Sequence, residues 1–132
     1  MDLKLRGKKA VVTGASRGIG KAIAELLADE GCDVAICARG QAGVDEVVSD
    51  LKGRGVRAFG EGVDIADGPA LKAFVTRAGE QLGGIDILVS NASALTQGNT
   101  EEAWQAGLDI DLMGAVRSFD AAKPFLAKAA AE

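Results

Sequence analysis

The sequence predicts an α/β fold, a parallel sheet with helices on both faces. Three observations carry this. Short β-rich apolar runs alternate with helix-length amphipathic segments in the order β-α-β-α-β-α-β-α. The runs carry Val and Ile with little polar alternation, as strands buried on both faces do. No tandem repeat or low-complexity linker breaks the alternation. Right-handed crossovers then give the strand order 3-2-1-4, the first half of a doubly wound, Rossmann-type sheet.

The first strand is expected over residues 10–13, where Val11-Val12 follow Lys8-Lys9-Ala10. A glycine-spaced turn leads into a helix over 18–29, with Ile19, Ala22, Ile23, Leu26 and Leu27 at helical period. Gly31 is placed to end it in the left-handed C′ position. The second strand, 33–38, is apolar through Val34, Ala35, Ile36 and Cys37. A second helix over 41–52 puts Val44, Val47, Val48 and Leu51 on one face, and Gly53-Arg54-Gly55 ends it. The third run, 56–63, is loosened by Gly60 and Gly62.

Asp67 is expected to cap a third helix with Pro69 in its first turn, burying Leu71, Phe74, Val75, Ala78 and Leu82. Gly83-Gly84 closes it, and 85–90 is the fourth strand. Thr100 then caps a long last helix, with Glu101 and Glu102 at its positive end. Trp104, Leu108, Leu112, Ala115, Val116, Phe119 and Leu126 form its broad apolar side, and Pro124 is expected to bend it.

The length, 132 residues, suits one domain over residues 1–132, and 48% apolar content supports a core. The 18 glycines are nearly twice the average share of about 7%. No apolar run approaches the roughly 18 residues of a transmembrane span, and no signal-peptide core follows Met1-Asp2-Leu3-Lys4. A soluble, cytoplasmic protein is expected. Its net charge of −4 argues against a nucleic-acid or membrane partner. Cys32 and Cys37, without a histidine, cannot complete a zinc site and read as free thiols, so no metal is expected. The absence of His and Tyr removes two common acid/base groups. No fifth strand follows the last helix, so the domain is expected to be incomplete at its C-terminal side.

The glycine turn carries the chemistry. Gly14, Gly18 and Gly20 follow a strand and open a helix, the context a pyrophosphate needs: sharp turns, close approach, and unpaired N–H groups at a positive dipole end. Arg17 in this turn and Arg39 after the second strand offer fixed guanidinium donors to a 2′-phosphate. An NAD site would want an acidic residue near that strand end, yet the strand closes on Ala38 with no carboxylate until Asp45. NADP is the expected cofactor.

Thr13-Gly14-Ala15-Ser16-Arg17-Gly18-Ile19-Gly20 resembles the cofactor loop of the short-chain dehydrogenase/reductase family, and the resemblance extends along essentially the whole chain. It implies cofactor contacts from Gly14, Ser16, Arg17, Gly18, Ile19, Gly20 and Arg39. It also implies that Asp64, beside Ile65, meets the adenine amino group. Ser90-Asn91-Ala92-Ser93 resembles the family's Asn-Asn-Ala-Gly, with Asn91 and Ala92 matching and Ser90 and Ser93 departing. Asp109-Ile110-Asp111-Leu112 resembles an Asp-Val-Asn-Leu segment, which puts Asp111 where the family has a catalytic Asn supporting a relay water. The family's Ser and Tyr-x-x-x-Lys have no counterpart here.

The resemblance implies an NADP(H)-dependent oxidoreductase moving hydride between nicotinamide and a small-molecule carbonyl or secondary alcohol. Its nearest look is to 3-oxoacyl-thioester reductases, with this chain as the cofactor-binding half and a homo-oligomer assembled through the last helix. The other expectation is a non-catalytic nucleotide-binding module or pseudoenzyme subunit. A methyltransferase fits poorly, because Thr13 stands where its first strand would end in an acidic residue.

Overall fold

The computed structural model describes residues 1–132. β1 (Lys9–Thr13), β2 (Asp33–Ala38), β3 (Ala58–Gly62) and β4 (Ile87–Val89) form one parallel sheet in the expected order β3-β2-β1-β4. Alternation along the strands feeds two cores. Val12, Val34, Ile36 and Ala38 pack on one face, against Ala24 and Ala28 of α1 (Gly18–Asp29) and Val44, Val47 and Leu51 of α2 (Gln41–Gly53). Val11, Ala35 and Cys37 pack on the other, against Leu71, Phe74, Val75, Ala78 and Leu82 of α3 (Gly68–Leu82) and Ala122 of α5 (Met113–Ala131). Buried strands of this kind lack a polar face, which is why the runs read as continuously apolar.

The helix ends follow their local chemistry. Asp67 accepts a hydrogen bond from the Ala70 N–H at 3.1 Å, with Pro69 in the first turn of α3. Thr100 accepts from the Ala103 N–H at 3.2 Å to start α4 (Glu101–Gly107). Gly31 and Gly83, at φ 89° and 79°, take the left-handed conformation a side chain would oppose.

Three expectations change. The outer strands are shorter than their apolar runs. β3 ends where its pairing with β2 ends, and β4 pairs with β1 alone; Asp86, just before β4, instead takes the Lys9 N–H on its carboxylate at 2.9 Å. The inner face of α1 is Gly20, Ala24 and Ala28, with Ile23 and Leu27 packed at its margins. Ile19, Ala22 and Leu26 point outward, because small residues let the helix lie close on the sheet.

The last helix, finally, is not one uniform α-helix. A π-helical segment, Leu108–Leu112, separates α4 from α5, and α5 continues past Pro124 to Ala131. α5 buries Gly114, Ser118 and Ala122. Trp104, at 65% exposed, Leu108, Leu112, Val116 and Phe119 stay in solvent.

That apolar row, together with the free edge of β4, lacks cover within the chain. An uncovered strand edge and a large apolar patch both promote association. The isolated chain is therefore expected to self-associate. Sedimentation of a monodisperse monomer with cooperative unfolding would contradict this.

Candidate functional site

A cleft of about 680 Å³ opens at the C-terminal ends of the strands. Strand order reverses there between β1 and β4, the switch point where open α/β sheets bind ligands. Its walls include Gly14, Ser16, Arg17, Gly18 and Ile19 from the first turn, and Ala38, Arg39 and Gly40 beyond β2. Asp64 and Ile65 follow β3, and Asn91 and Ala92 follow β4. Ten of the expected cofactor residues thus converge from four separate strand ends. Gly20 and Asp111 do not line the cleft.

The three glycines do different things. Gly14 has φ 67°, and a Cβ there would stand 2.8 Å from the Ala92 Cα. A Cβ on Gly20 would collide with the Gly14 carbonyl oxygen and come within 2.5 Å of Asn91 Nδ2. Gly20 therefore serves the packing of the turn. Gly18, at φ 60°, faces open space, where a side chain would narrow the approach to the backbone. No side chain caps the first turn of α1, so its N–H groups remain available to an anion. Ile19 is 74% exposed beside them. These features fit a dinucleotide pyrophosphate.

Thr13, named only as part of the motif, holds the site together. Its hydroxyl accepts from the N–H of Asn91 at 3.0 Å and of Ala92 at 3.2 Å. Asn91 Nδ2 in turn donates to the Gly14 carbonyl at 3.0 Å. The turn after β4 is thereby stitched to the turn after β1. The one available signal was a hydroxyl residue, buried at a strand end, beside the glycine turn. Asp64 is exposed and accepts the Ala66 N–H at 3.0 Å, leaving its second oxygen toward solvent and cleft.

The far wall holds Ser93 of the Ser90–Ser93 segment and, unmarked in the sequence, residues 94–96 with Ala106 and Ile110. Its tethers are visible only in three dimensions. Asp111 Oδ2 accepts from Ser93 Oγ at 2.9 Å and Oδ1 from the Ala94 N–H at 2.8 Å. Thr96 Oγ1 donates to the Ala103 carbonyl at 3.2 Å.

Both cysteines are free and buried. Burial pushes the Cys37 thiol up to about 12, so it stays protonated and unreactive at neutral pH. No group of three His, Cys, Asp or Glu side chains assembles a metal site.

Residues 8–131 match the family model described as short chain dehydrogenase. The chain belongs to that family. A 3-oxoacyl-[acyl-carrier-protein] reductase of Staphylococcus aureus is 37% identical over 123 residues, which cover 89% of this chain and 50% of the relative. The crystal structure of L-sorbose reductase from Gluconobacter frateurii, complexed with NADPH and L-sorbose, superposes with a TM-score of 0.90 at 37% identity, covering 96% of this chain and 50% of that one. Carveol dehydrogenase from Mycobacterium avium, in complex with NAD, gives 0.86 at 31% identity, covering 92% and 50%. The chain spans about half the length of the curated relatives it matches. The L-sorbose reductase structure holds NADPH and the carveol dehydrogenase structure holds NAD, each a nicotinamide dinucleotide.

Replacing Thr13 by Val strands two partly buried N–H donors. Each such loss costs about 1–3 kcal/mol. Thr13→Val is expected to lower the denaturant midpoint and weaken nucleotide binding together, while Thr13→Ser keeps the acceptor and stays near wild type. Chemical unfolding and dinucleotide titration of both variants check this.

Proposed function

We propose that this chain is the NADP(H)-binding half of a short-chain dehydrogenase/reductase acting on a small-molecule carbonyl or secondary alcohol. The observation that carries the choice of NADP is the end of β2. Ala38 offers no carboxylate, and Arg39 and Arg17 line the same cleft without an ion-pair partner in the chain. Gly40 begins α2 with no side-chain cap, adding an uncapped helix start beside the two guanidiniums. A 2′-phosphate would meet donors here, and nothing acidic at the strand end would repel it.

When bound, the nicotinamide would supply the hydride. Gly14, Gly18 and the start of α1 would hold the pyrophosphate, Asp64 would meet the adenine, and Asn91 and Ala92 would support the ribose on the nicotinamide side. The chain contains no tyrosine and no histidine, and no residue of the cleft is assigned as general acid/base. Cytoplasmic residence and a homo-oligomer joined through α4 and α5 belong to the same reading. No helix is long and apolar enough to cross a membrane, and the row from Trp104 to Phe119 is exposed on that side.

A non-catalytic nucleotide-binding module is the alternative. Purified, the chain is expected to bind NADPH without turning it over, since acid/base catalysis alone contributes about 10²–10⁴-fold. Turnover of NADPH against a carbonyl panel would overturn that expectation. Loss of a hydrogen bond to a charged group costs about 1.5 kcal/mol at the low end, the end that suits exposed Arg39. Arg39→Ala should therefore weaken NADP binding about tenfold and leave NAD nearly unchanged. Ala38→Asp should reverse the preference, adding a ribose acceptor and repelling the phosphate. Equal affinity of the wild type for NAD and NADP would sink the cofactor assignment.

A further inference from the structure

We propose that Ser93 and Asp111 form a coupled positioning pair that sets the cleft wall at residues 93–95 and thereby tunes dinucleotide affinity. The structure joins them directly. Ser93 Oγ donates to Asp111 Oδ2 at 2.9 Å, the Ala94 N–H donates to Oδ1 at 2.8 Å, and the Leu95 N–H donates to Ser93 Oγ at 3.0 Å.

The donor and acceptor inventory explains the pairing. An ionised carboxylate only accepts, and here each oxygen receives one proton. An amide at 111 would keep one accepting oxygen, which suffices for the Ala94 N–H, and would turn an N–H toward Ser93 Oγ, reversing the direction of that hydrogen bond. A glycine at 93 would leave Asp111 Oδ2 without a partner in the chain and the Leu95 N–H without its acceptor.

The turn they hold needs holding. Leu95 sits at φ 51°, the left-handed region that L residues enter reluctantly. Ser93, Ala94 and Leu95 all line the cleft, while Asp111 does not. Asp111 thus acts through its neighbours. It projects from the π-helical segment Leu108–Leu112, where the wider turn re-aims side chains relative to a regular α-helix. Such segments concentrate at functional sites.

The affinity part of the inference rests on the cleft being a dinucleotide site; the coupling does not. The test is made in the protein as isolated from its source, with Asp111→Ala, Asp111→Asn, Ser93→Ala and the Ser93→Ala/Asp111→Ala double variant. NADPH titration, amide exchange at Ala94 and Leu95, and the unfolding midpoint are measured for each. Both side chains are exposed, so midpoints are expected to stay near wild type.

Asp111→Ala should raise the NADPH Kd about three- to tenfold and speed exchange at both amides. Ser93→Ala should speed exchange at Leu95 with Ala94 still protected. Added to Asp111→Ala, it should change the Kd little further. Asp111→Asn should keep Ala94 protected and recover part of the affinity. Unchanged Kd in all variants, effects that multiply, or Kd changes that track a falling midpoint would overturn the pairing as a positioning device. Wild type that fails to bind NADPH, yet shows this exchange pattern, would overturn the proposed function and the affinity role while leaving the coupling standing.

Discussion

Two turns in van der Waals contact govern this structure, the one leaving β1 and the one leaving β4. Gly14 meets the backbone of Ala92, Gly20 presses on Gly14 and Asn91, and the Thr13 hydroxyl takes two N–H groups from across the gap. Close packing of the two turns leaves room there only for the Thr13 and Asn91 side chains that stitch them together. The cleft is what remains above that junction. Its charged groups are Arg17, Arg39 and Asp64, and the start of α1 lies at it uncapped.

Close approach recurs elsewhere, and it sorts large residues from small. α1 lies on the sheet through Ala24 and Ala28 and on the glycine turn through Gly20, and α5, packed against α3, buries Gly114, Ser118 and Ala122, with Gly114 close to Ile65. A Cβ on Gly79 of α3 would stand 2.6 Å from the Phe125 ring. Ser118 is tolerated at full burial because its hydroxyl donates to the Gly114 carbonyl of its own helix at 2.7 Å. Helices seated on such stripes leave Ile19, Leu26, Leu112 and Phe119 outside.

This also marks how far the sequence could be read. Strand order, the Asp67 and Thr100 caps, the left-handed Gly31 and the convergence of Arg17, Arg39, Asp64 and Asn91 all follow from local signals or from topology, and all were legible. The inner face of α1 was not, because periodicity counts apolar residues and does not weigh their size against the distance to the sheet. The roles of Thr13 and Gly20, and the tie from Ser93 to Asp111, depend on segments separated by many residues in the chain. No local pattern records such contacts. The π-helical segment likewise has no signature in Leu108-Asp109-Ile110-Asp111-Leu112, which reads as ordinary helix.

The pairing of Ala10 with Ile87 has a consequence for assembly in time. β1 meets β2 across a short crossover, whereas β1 meets β4 only after α1, β2, α2, β3 and α3 have intervened. Ordering so long a loop comes before any contact that rewards it, and non-local parallel pairing is intrinsically slow. The three strands β3-β2-β1 can therefore form a nucleus while β4 is still searching. Until β4 docks, Thr13 has no Asn91 to hold and the glycine turn has no opposing wall. Recognition of nucleotide thus becomes a report on completed topology: a chain that binds has already closed its longest loop.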